Sequence, residues 1–239
     1  MMSTSVRHSI EITWDHLREI ALFRGLSDAQ LQQLNESLRA KRFAAGTSLM
    51  TAEQTGEAVY FILSGTLKVH VEQESGADVI ICILGSGESV GEMCALDQQN
   101  RSASVETLED SDLLWLDCAT FRRFLFAMPA LSHNLACLLS ARLRQANEQI
   151  QSLATRDIEH RVARQLLGFS EKYGQPATGG EVFIPVRLTQ SDLANLVGAT
   201  RESVNKIIVS YKERGFLSSS RNHHWTIHNR QFLANRCGI

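Results

Sequence analysis

The sequence lacks the cysteine spacing of a metal site or a disulfide framework. Its five cysteines are scattered and form no C-x-x-C pair; they are Cys82, Cys94, Cys118, Cys137 and Cys237. An odd number without regular spacing argues against structural disulfides, and against a zinc or iron–sulfur cluster. We therefore expect reduced, mostly buried thiols in a cytoplasmic protein.

Long apolar runs and catalytic motifs are also missing. The most apolar region, residues 113–143, is interrupted by Arg122 and Arg123, so neither a signal-like nor a membrane-spanning segment is predicted. The sequence shows no nucleophile elbow, Walker loop or metal-ligand spacing. We accordingly expect no enzyme activity, no bound metal ion and no membrane partner.

The composition is that of an ordinary globular protein, with 44% hydrophobic and 21% charged residues in 239 positions. This length predicts two domains. The net charge of −2 conceals an asymmetry: residues 1–150 contain 12 Lys and Arg against 19 Asp and Glu, whereas residues 151–239 contain 12 against 7. A basic C-terminal third suits the phosphate backbone of a nucleic acid.

The strongest local pattern lies in residues 188–217. Thr189 predicts a helix N-cap with Asp192 as its capping-box partner, and Gly198 ends that helix because glycine takes a positive φ without steric cost. Thr200 then caps a second helix. Its predicted buried stripe consists of Val204, Ile207, Ile208 and Tyr211. Two short helices joined by a glycine turn indicate a DNA-binding helix-turn-helix.

Polar side chains gather at the start of the second helix. Arg201 matches the O6 and N7 acceptors of guanine, Glu202 can accept from the cytosine amino group, and Lys206 can reach a second guanine. The start of the first helix, with Thr189, suits a backbone phosphate. The alternative is a solvated helix face. The candidate DNA-binding residues are Thr189, Thr200, Arg201, Glu202, Ser203, Asn205 and Lys206.

Residues 41–117 change to short β-type runs separated by glycines. The runs are AVYFIL, TLKVHV, DVIICIL, SASVETL and DLLWLD. Several short strands at such spacing predict a sandwich or jelly-roll barrel. Residues 14–40, which precede this region, have helical spacing, and Ser27 is a plausible helix cap.

Pro129 opens the longest helical pattern, about 130–156, which spans about 40 Å at ~1.5 Å per residue. Its apolar residues recur every three or four positions, close to coiled-coil spacing. They are Leu135, Leu139, Leu143, Ala146, Ile150 and Leu153. This seam predicts a homodimer, although packing of the helix against the barrel is the alternative.

Beyond the long helix, the pattern predicts another amphipathic helix from Ile158, a strand VFIPVRL and a hairpin wing formed by 216–219 and 225–227. The expected fold class is α+β. The domains would be an N-terminal β jelly-roll barrel at 14–128, a long dimerisation helix at 129–156, and a C-terminal winged helix-turn-helix at 157–239.

A second candidate site lies in residues 84–108, where Gly85, Gly87 and Gly91 bracket turns. Residues 92–96 can form one helical turn, and Arg101 with Ser102 follows before a strand. Backbone N–H groups facing an arginine and a hydroxyl suit an anion, whereas Glu92 suits a sugar hydroxyl. A small nucleotide is the inferred ligand; an Arg–Glu pair that closes one barrel end is the alternative.

The arrangement G-E-M-C-A-L-D-x-x-N-R-S-A resembles the phosphate-binding cassette of cyclic-nucleotide-binding domains. The order of barrel, long helix and helix-turn-helix resembles the cyclic-AMP receptor protein and FNR family of bacterial transcription regulators, over residues 20–230. This resemblance implies a cytoplasmic homodimer with cyclic AMP as allosteric ligand. It places Glu92 on the ribose 2′-hydroxyl and Arg101 with Ser102 on the cyclic phosphate. The implied ligand-binding residues are Gly91, Glu92, Met93, Cys94, Ala95, Arg101, Ser102, Ala146 and Asn147.

The sequence departs from the family pattern in the half that faces the base. Ala146 and Asn147 stand where the cyclic-AMP receptor protein presents Thr and Ser to adenine; alanine cannot hydrogen-bond, whereas asparagine offers a donor and an acceptor. Cyclic AMP is therefore the first expectation and another nucleotide the second. FNR's amino-terminal cysteine cluster is absent, and His70, the single candidate haem ligand, is expected on a strand surface.

The expected function is a ligand-responsive regulator that binds a palindromic operator as a dimer. Double-stranded DNA is the first partner, and RNA polymerase is the second, although no polymerase-contacting surface can be read from the sequence. Two alternatives stay open. One is a constitutive regulator with a vestigial barrel, which Ala146 favours; the other is a cyclic-nucleotide-binding module that regulates a partner protein, which the basic segment 151–239 opposes.

Overall fold

The computed structural model describes residues 12–73 and 78–238, apart from the side chain of Cys94. The chain begins with α1 (Trp14–Glu19), a 3-10 turn at Ala21–Phe23 and α2 (Asp28–Ser37). Ser27 caps α2 as predicted. The hydroxyl of Ser27 accepts from the Gln30 N–H, and the Gln30 side chain accepts from the Ser27 N–H at 2.9 Å.

Eight strands follow, interrupted once by a short helix. They are β1 (Arg39–Phe43), β2 (Ser48–Met50), β3 (Ala58–Ser64), β4 (Leu67–Glu72), β5 (Asp78–Leu84), β6 (Ser89–Val90), β7 (Ser104–Thr107) and β8 (Ser111–Asp117). The five predicted runs correspond to β3, β4, β5, β7 and β8. The sequence pattern did not identify β1, which is mostly charged, or β2 and β6, which are too short to show an alternation.

These strands form two four-stranded sheets. The first has the strand order β1-β8-β3-β6 and the second β2-β7-β4-β5. In the first sheet the antiparallel register places Tyr60 of β3 opposite Trp115 of β8 on one side and Val90 of β6 on the other. The predicted jelly-roll architecture and the α+β class are confirmed.

Three helices lie among or after these strands: α3 (Met93–Asp97), α4 (Cys118–Ala127) and α5 (Pro129–Thr155). The long helix α5 was predicted, with Pro129 as its first residue. The sequence did not predict α4. Its N-cap is Asp117, whose carboxylate accepts from the Thr120 N–H at 2.8 Å, and chiefly this hydrogen bond lowers the pKa of Asp117.

One face of the first sheet packs against helices. Phe61 of β3 is fully buried, and its ring centroid lies 4.8 Å from that of Phe23 and 6.2 Å from that of Phe121. Leu131 and Leu135 of α5 belong to the same core cluster. Burial of each such side chain contributes about 1.5–3 kcal/mol to the free energy of folding, so this core fixes the position of β3.

The remaining elements are α6 (Ile158–Tyr173), β9 (Gln175–Pro176), a 3-10 turn at Thr178–Gly180, β10 (Val182–Ile184), α7 (Gln190–Val197), α8 (Arg201–Glu213), β11 (Leu217–Ser219), β12 (Trp225–Ile227) and α9 (Arg230–Arg236). A third sheet has the order β11-β12-β10-β9. The predicted wing corresponds to β11 and β12. The strand expected over VFIPVRL is shorter, because β10 ends just before Pro185, which has no N–H to donate. The sequence did not predict α9.

The chain divides into two compact units. Of the described residues, the first unit contains 12–67 and 84–139, and the second contains 68–73, 78–83 and 140–238. Helix α5 therefore starts in the first unit and ends in the second. The predicted domain boundaries at 14–128, 129–156 and 157–239 stay a prediction.

Candidate functional site

The first candidate site begins where β6 ends. Gly91 follows Val90 with φ +88°, and a Cβ there would lie 2.7 Å from Arg101 Nη1 and 2.9 Å from the Ala58 carbonyl oxygen. Only glycine therefore allows the backbone to approach Arg101 this closely. Glycine at this position is what lets Arg101 enter the site.

Arg101 is held at both its backbone and its side chain. Its N–H donates to the Gln54 carbonyl at 2.9 Å, and its carbonyl accepts from the Glu53 N–H at 2.8 Å. Arg101 is 9% exposed, and its guanidinium donates from Nη1 to Gly91 O at 2.9 Å and from Nη2 to Ala58 O at 2.6 Å. These bonds fix a buried positive charge beside Gly91.

Glu92 follows Gly91 directly and is 1% exposed. The structure thus brings Gly91, Glu92 and Arg101 together in the first unit, as the sequence predicted. A buried guanidinium attracts an anion, and a buried carboxylate accepts from a hydroxyl but repels a phosphate. The combination is suited to a ligand that carries both groups.

Other predicted residues of this site are less enclosed. Met93 is 48% exposed, Ser102 is exposed, and the Ala95 N–H donates to the Glu92 carbonyl at 3.2 Å within the turn. A phosphate would have to share or replace that bond. Ala146 and Asn147 are exposed residues of α5 in the second unit, and their contact with a base stays a prediction.

Two further residues belong to this site but have no signal in the sequence. Ala58 contributes only its carbonyl oxygen, which residue identity cannot reveal. Tyr60, two residues along β3, has its pKa raised by burial, an effect that the positive charge of nearby Arg101 partly offsets. Alternation in the run AVYFIL predicts that Ala58 and Tyr60 share one face of β3. It does not predict that this face lies next to Arg101, which follows Tyr60 by 41 positions in the sequence.

The second candidate site is the helix pair α7 and α8. Thr189 caps α7 in the predicted capping box: its hydroxyl oxygen accepts from the Asp192 N–H at 3.1 Å, and Asp192 Oδ2 accepts from the Thr189 N–H at 2.9 Å. Gly198 ends α7 with φ +60° and ψ +50°. Thr200 caps α8 through the Ser203 N–H at 3.2 Å. The predicted helix-turn-helix is confirmed.

The turn between these helices is tightly packed. A Cβ on Gly198 would lie 2.9 Å from Leu153 Cδ2, so the end of α5 packs against the turn. Gln149 of α5 also donates to the Leu196 carbonyl at 3.2 Å. These contacts join the C-terminal part of α5 to the helix-turn-helix within the second unit.

The buried stripe of α8 is confirmed for Val204, Ile208 and Tyr211, whereas Ile207 is half-buried. The opposite face is polar and exposed; it contains Arg201, Glu202, Asn205 and Lys206. Ser203 is half-buried, and its hydroxyl lies 2.9 Å from that of Thr200.

Glu202 and Lys206 form an i, i+4 ion pair on this polar face. Lys206 Nζ lies 3.0 Å from Glu202 Oε1, with 75% and 79% of the side chains exposed. Such an exposed pair is worth less than about 1 kcal/mol, so base edges can compete for both groups. The wing beside α8 is held by Trp225, whose Nε1 donates to the Leu188 carbonyl at 2.7 Å.

His70 differs from its prediction as a strand-surface residue. Its side chain is 14% exposed, and Nδ1 lies 2.9 Å from Asp78 Oδ1, while Lys68 Nζ lies 2.7 Å from Asp78 Oδ2. The imidazole of His70 is therefore paired with the carboxylate of Asp78. Within residues 12–73 and 78–238, no group of three or more His, Cys, Asp or Glu side chains is placed to hold a metal ion.

Cys118 is buried and Cys137 is exposed, whereas Cys82 and Cys237 are half-buried; all four carry thiols.

In the described part of the chain, no single helix has both the length and the apolar composition to cross a membrane. The helices Cys118–Ala127 and Pro129–Thr155, which meet at a bend of 111°, together have the length and apolar composition of a span, and nothing beyond length and composition supports it.

Comparisons with known proteins match the two regions that contain the candidate sites. The cyclic nucleotide-binding domain family matches residues 40–127, and the Crp-like helix-turn-helix domain family matches residues 160–236. The chain is thus a cyclic-nucleotide-binding domain joined to a helix-turn-helix.

Curated relatives and solved structures match most of this chain. The CRP-like cAMP-activated global transcriptional regulator of Mycobacterium tuberculosis is 29% identical over 84% of this chain and 89% of its own. The cyclic AMP receptor protein of Thermus thermophilus is 29% identical over 81% and 86%. The solved structure of a CRP/FNR-family transcriptional regulator from Thermus thermophilus superposes with a TM-score of 0.67 at 25% identity, covering 84% of this chain and 99% of that one.

The structure of FixK2 from Bradyrhizobium japonicum shares the fold, with a TM-score of 0.72 at 18% identity over 83% of this chain and 96% of that one. The chain belongs to the cyclic-AMP receptor protein and FNR family of transcription regulators. This family is not enzymatic. The resemblance inferred from the cassette and the helix-turn-helix is thereby confirmed, as is the expectation that the protein is not an enzyme.

Proposed function

We propose that this protein is a homodimeric transcription regulator whose barrel binds cyclic AMP, and that the bound ligand controls its affinity for a palindromic operator. One observation supports the ligand half of the proposal: the chain buries Arg101, which donates to the Gly91 carbonyl, and Glu92, which follows Gly91 directly. A cyclic nucleotide supplies the matching anion and hydroxyl. Relatives named as cAMP-activated make cyclic AMP the first ligand to test.

In this proposal Arg101 holds the cyclic phosphate and Glu92 accepts from the ribose 2′-hydroxyl. Ser102 and the backbone of 93–95 complete the phosphate contacts. Asn147 would hydrogen-bond the base, and Ala146 would only touch it. The residues proposed for the phosphate and ribose match the family pattern, whereas Ala146 and Asn147 depart from it at the base, so cyclic GMP is the second ligand to test.

Dimerisation is proposed along α5. Leu143 and Ile150 are 64% and 65% exposed, and Leu153 is 45% exposed. Leu135, at the other end of the seam, packs in the core of the first unit instead. An exposed apolar stripe at this spacing is typical of a helix that pairs with a second copy.

The ligand would act by favouring one of two dimer arrangements, and only to the extent that it binds one more tightly than the other. In the favoured arrangement the two copies of α8 would be separated by one helical repeat of DNA, ~34 Å. Arg201, Glu202 and Lys206 would then read bases, and the caps at Thr189 and Thr200 would face phosphates. RNA polymerase is the further partner of this proposal.

Isothermal titration of cyclic AMP into wild type, Arg101→Ala and Arg101→Lys tests the pocket. We expect a loss of binding in Arg101→Ala and partial binding in Arg101→Lys, because lysine keeps the charge without the fork. Equal heats from wild type and Arg101→Ala would reject the assigned pocket.

Fluorescence anisotropy on a library of palindromic duplexes, with and without each cyclic nucleotide, tests gating. The proposal expects sequence-specific binding that tightens with ligand. Equal affinity in both conditions would favour the constitutive alternative with a vestigial barrel, and absence of salt-dependent binding to any duplex would favour a module that regulates a partner protein.

A further inference from the structure

The C-terminal helix α9 attaches to the end of the helix-turn-helix. Leu233 is fully buried. The ring of Phe232 stacks on Phe216 at 3.8 Å between centroids and lies edge-on to Tyr211 at 5.2 Å. Because Tyr211 belongs to the buried stripe of α8, the apolar side of α9 is packed against the helix proposed to read DNA.

The last residue of α9, Arg236, contacts the N-terminal end of α6. Its Nη2 lies 2.5 Å from Glu159 Oε2 and 3.4 Å from Asp157 Oδ2. Asp157 is the N-cap of α6, and its carboxylate also accepts from the His160 N–H at 2.6 Å. Asp157 stands two residues after Thr155, where α5 ends.

Glu159 connects this arginine to α8. Its Oε1 accepts from the hydroxyl of Tyr211 at 3.3 Å, while its Oε2 pairs with Arg236. Tyr211 is 1% exposed, so α8 cannot rotate about its axis without breaking this bond. One carboxylate thus joins the arginine of α9 and the tyrosine of α8 to the first turn of α6.

We propose that Arg236 is a positioning residue for DNA binding, which makes the orientation of α8 follow the junction between α5 and α6. This inference rests on the proposed function. Without Arg236, α8 would keep its apolar packing and the hydrogen bond from Tyr211 to Glu159, but Glu159 would lose its second partner, so α8 would follow the junction less closely.

The charges favour this arrangement. Burial alone lowers the pKa of Arg236, but the carboxylates of Glu159 and Asp157 outweigh burial and raise it, so the guanidinium stays charged. Burial, and next the charge of Glu159, raise the pKa of Tyr211, so its hydroxyl keeps the proton that it donates. Each ion pair is partly exposed and weak alone; it is the shared carboxylate that links the three helices.

The test compares four variants with wild type. Arg236→Gln removes the charge, Arg236→Lys retains it, and Tyr211→Phe keeps the ring but removes the hydroxyl. Arg230→Gln is the matched control, because Arg230 lies on the same helix and pairs at 3.0 Å with Glu171 instead. Amide hydrogen exchange of residues 160–161 and of α8 is measured without ligand or DNA, and operator affinity is measured with and without cyclic AMP.

For Arg236→Gln we expect exchange about fivefold faster in both segments. The ratio of operator affinities with and without cyclic AMP should fall by a similar factor at unchanged cyclic AMP affinity. Arg236→Lys should restore most of the ratio, Tyr211→Phe should resemble Arg236→Gln, and Arg230→Gln should match wild type. In a fifth variant that combines Arg236→Gln with Tyr211→Phe, the two effects should not add, because both act through Glu159.

Wild-type exchange or a wild-type affinity ratio in Arg236→Gln would overturn the inference, as would an equal effect of Arg230→Gln. Failure of the wild type to bind DNA or to respond to cyclic AMP would instead reject the proposed function. The exchange measurement still decides in that case whether Arg236 links α6 to α8.

Discussion

Arg101 Nη1 donates to the carbonyl oxygen of Gly91 over 2.9 Å, and this short bond requires residue 91 to have no side chain. The same glycine lies at the end of β6 with φ +88°. Gly91 therefore determines both the backbone turn after β6 and the position of the Arg101 guanidinium.

Gly91→Ala should weaken cyclic AMP binding without unfolding the barrel. The added Cβ would meet Met50 Cε at 2.6 Å and Arg101 Nη1 at 2.7 Å, so the guanidinium must move. Loss of one charge-assisted hydrogen bond corresponds to about 10- to 100-fold in affinity, measured by titration calorimetry. Gly46→Ala is the control, because its φ is +75° but its Cβ would meet only Glu106 Oε1 at 3.9 Å. Equal ligand affinities in the two variants would contradict the role of Gly91.

Gly198→Ala should destabilise the DNA-binding unit. An alanine in the left-handed region costs about 1–2 kcal/mol, and its Cβ would also press on Leu153 Cδ2. Gly215→Ala provides the comparison, since its φ is +71° and nothing lies within 4 Å of the added Cβ. Thermal unfolding should show the larger loss for Gly198→Ala, and Leu153→Ala should relieve part of it. Equal losses for the two glycines would show that Leu153 does not crowd the turn.

Replacing both Leu143 and Ile150 by glutamate should dissociate the proposed dimer. Burial of each side chain against a second copy is worth about 1.5–3 kcal/mol, and like charges would then face each other across the seam. Analytical ultracentrifugation should show monomers where the wild type is dimeric. The control is Phe126→Glu, which alters an apolar residue 85% exposed on α4 instead of α5. A dimer that survives the double substitution would place the interface elsewhere.

Arg201→Ala should weaken operator binding by about 1–3 kcal/mol and relax the preference at one base pair in each half-site. The reason is that a bidentate donor to guanine would be lost. Competition gel shifts against singly substituted operators measure this effect. Arg24→Ala, which removes an exposed charge from the first unit, should leave the affinity unchanged. Uniform weakening over all sequences would make Arg201 a phosphate contact.

Asp78→Asn should lower stability more at neutral pH than at acid pH. Burial raises the pKa of Asp78, yet hydrogen bonds and charges from Lys68 and His70 outweigh it, so the folded pKa lies below the usual value. A depressed carboxyl pKa stabilises the fold above the unfolded value of about 3.9 and loses this contribution as pH falls through the folded value. Melting temperatures by circular dichroism should differ at pH 7, and the difference should be smaller at pH 3. A constant difference at both pH values would show that the charge of Asp78 is not involved.

Local rules explain which helices the sequence predicted. Ser27, Thr189 and Thr200 are helix caps whose partners lie three residues away, and Gly198 needs only its own φ, so these features can be read from neighbours in the chain. The cassette at 91–102 was recognisable for the same reason, since its residues are close in sequence.

The missed elements depended on distant partners. Strand β1 is charged and pairs with β8, more than 60 residues away. Helix α9 is short, and Leu233 is buried and Phe232 half-buried only because α6 and α8 are there. Helical spacing over seven residues gives too weak a signal without that surface.

The sequence by itself determined the caps, the glycine turns, the long helix and the order of barrel and helix-turn-helix, because each follows from preferences of adjacent residues. Only the tertiary structure decided that the Gly91 and Ala58 carbonyls hold Arg101, that Leu153 packs on Gly198, and that Arg236 shares Glu159 with Tyr211. Those contacts join residues from 10 to 77 positions apart, and no local preference encodes them. They arise from packing, which brings distant charges and carbonyls within hydrogen-bond distance.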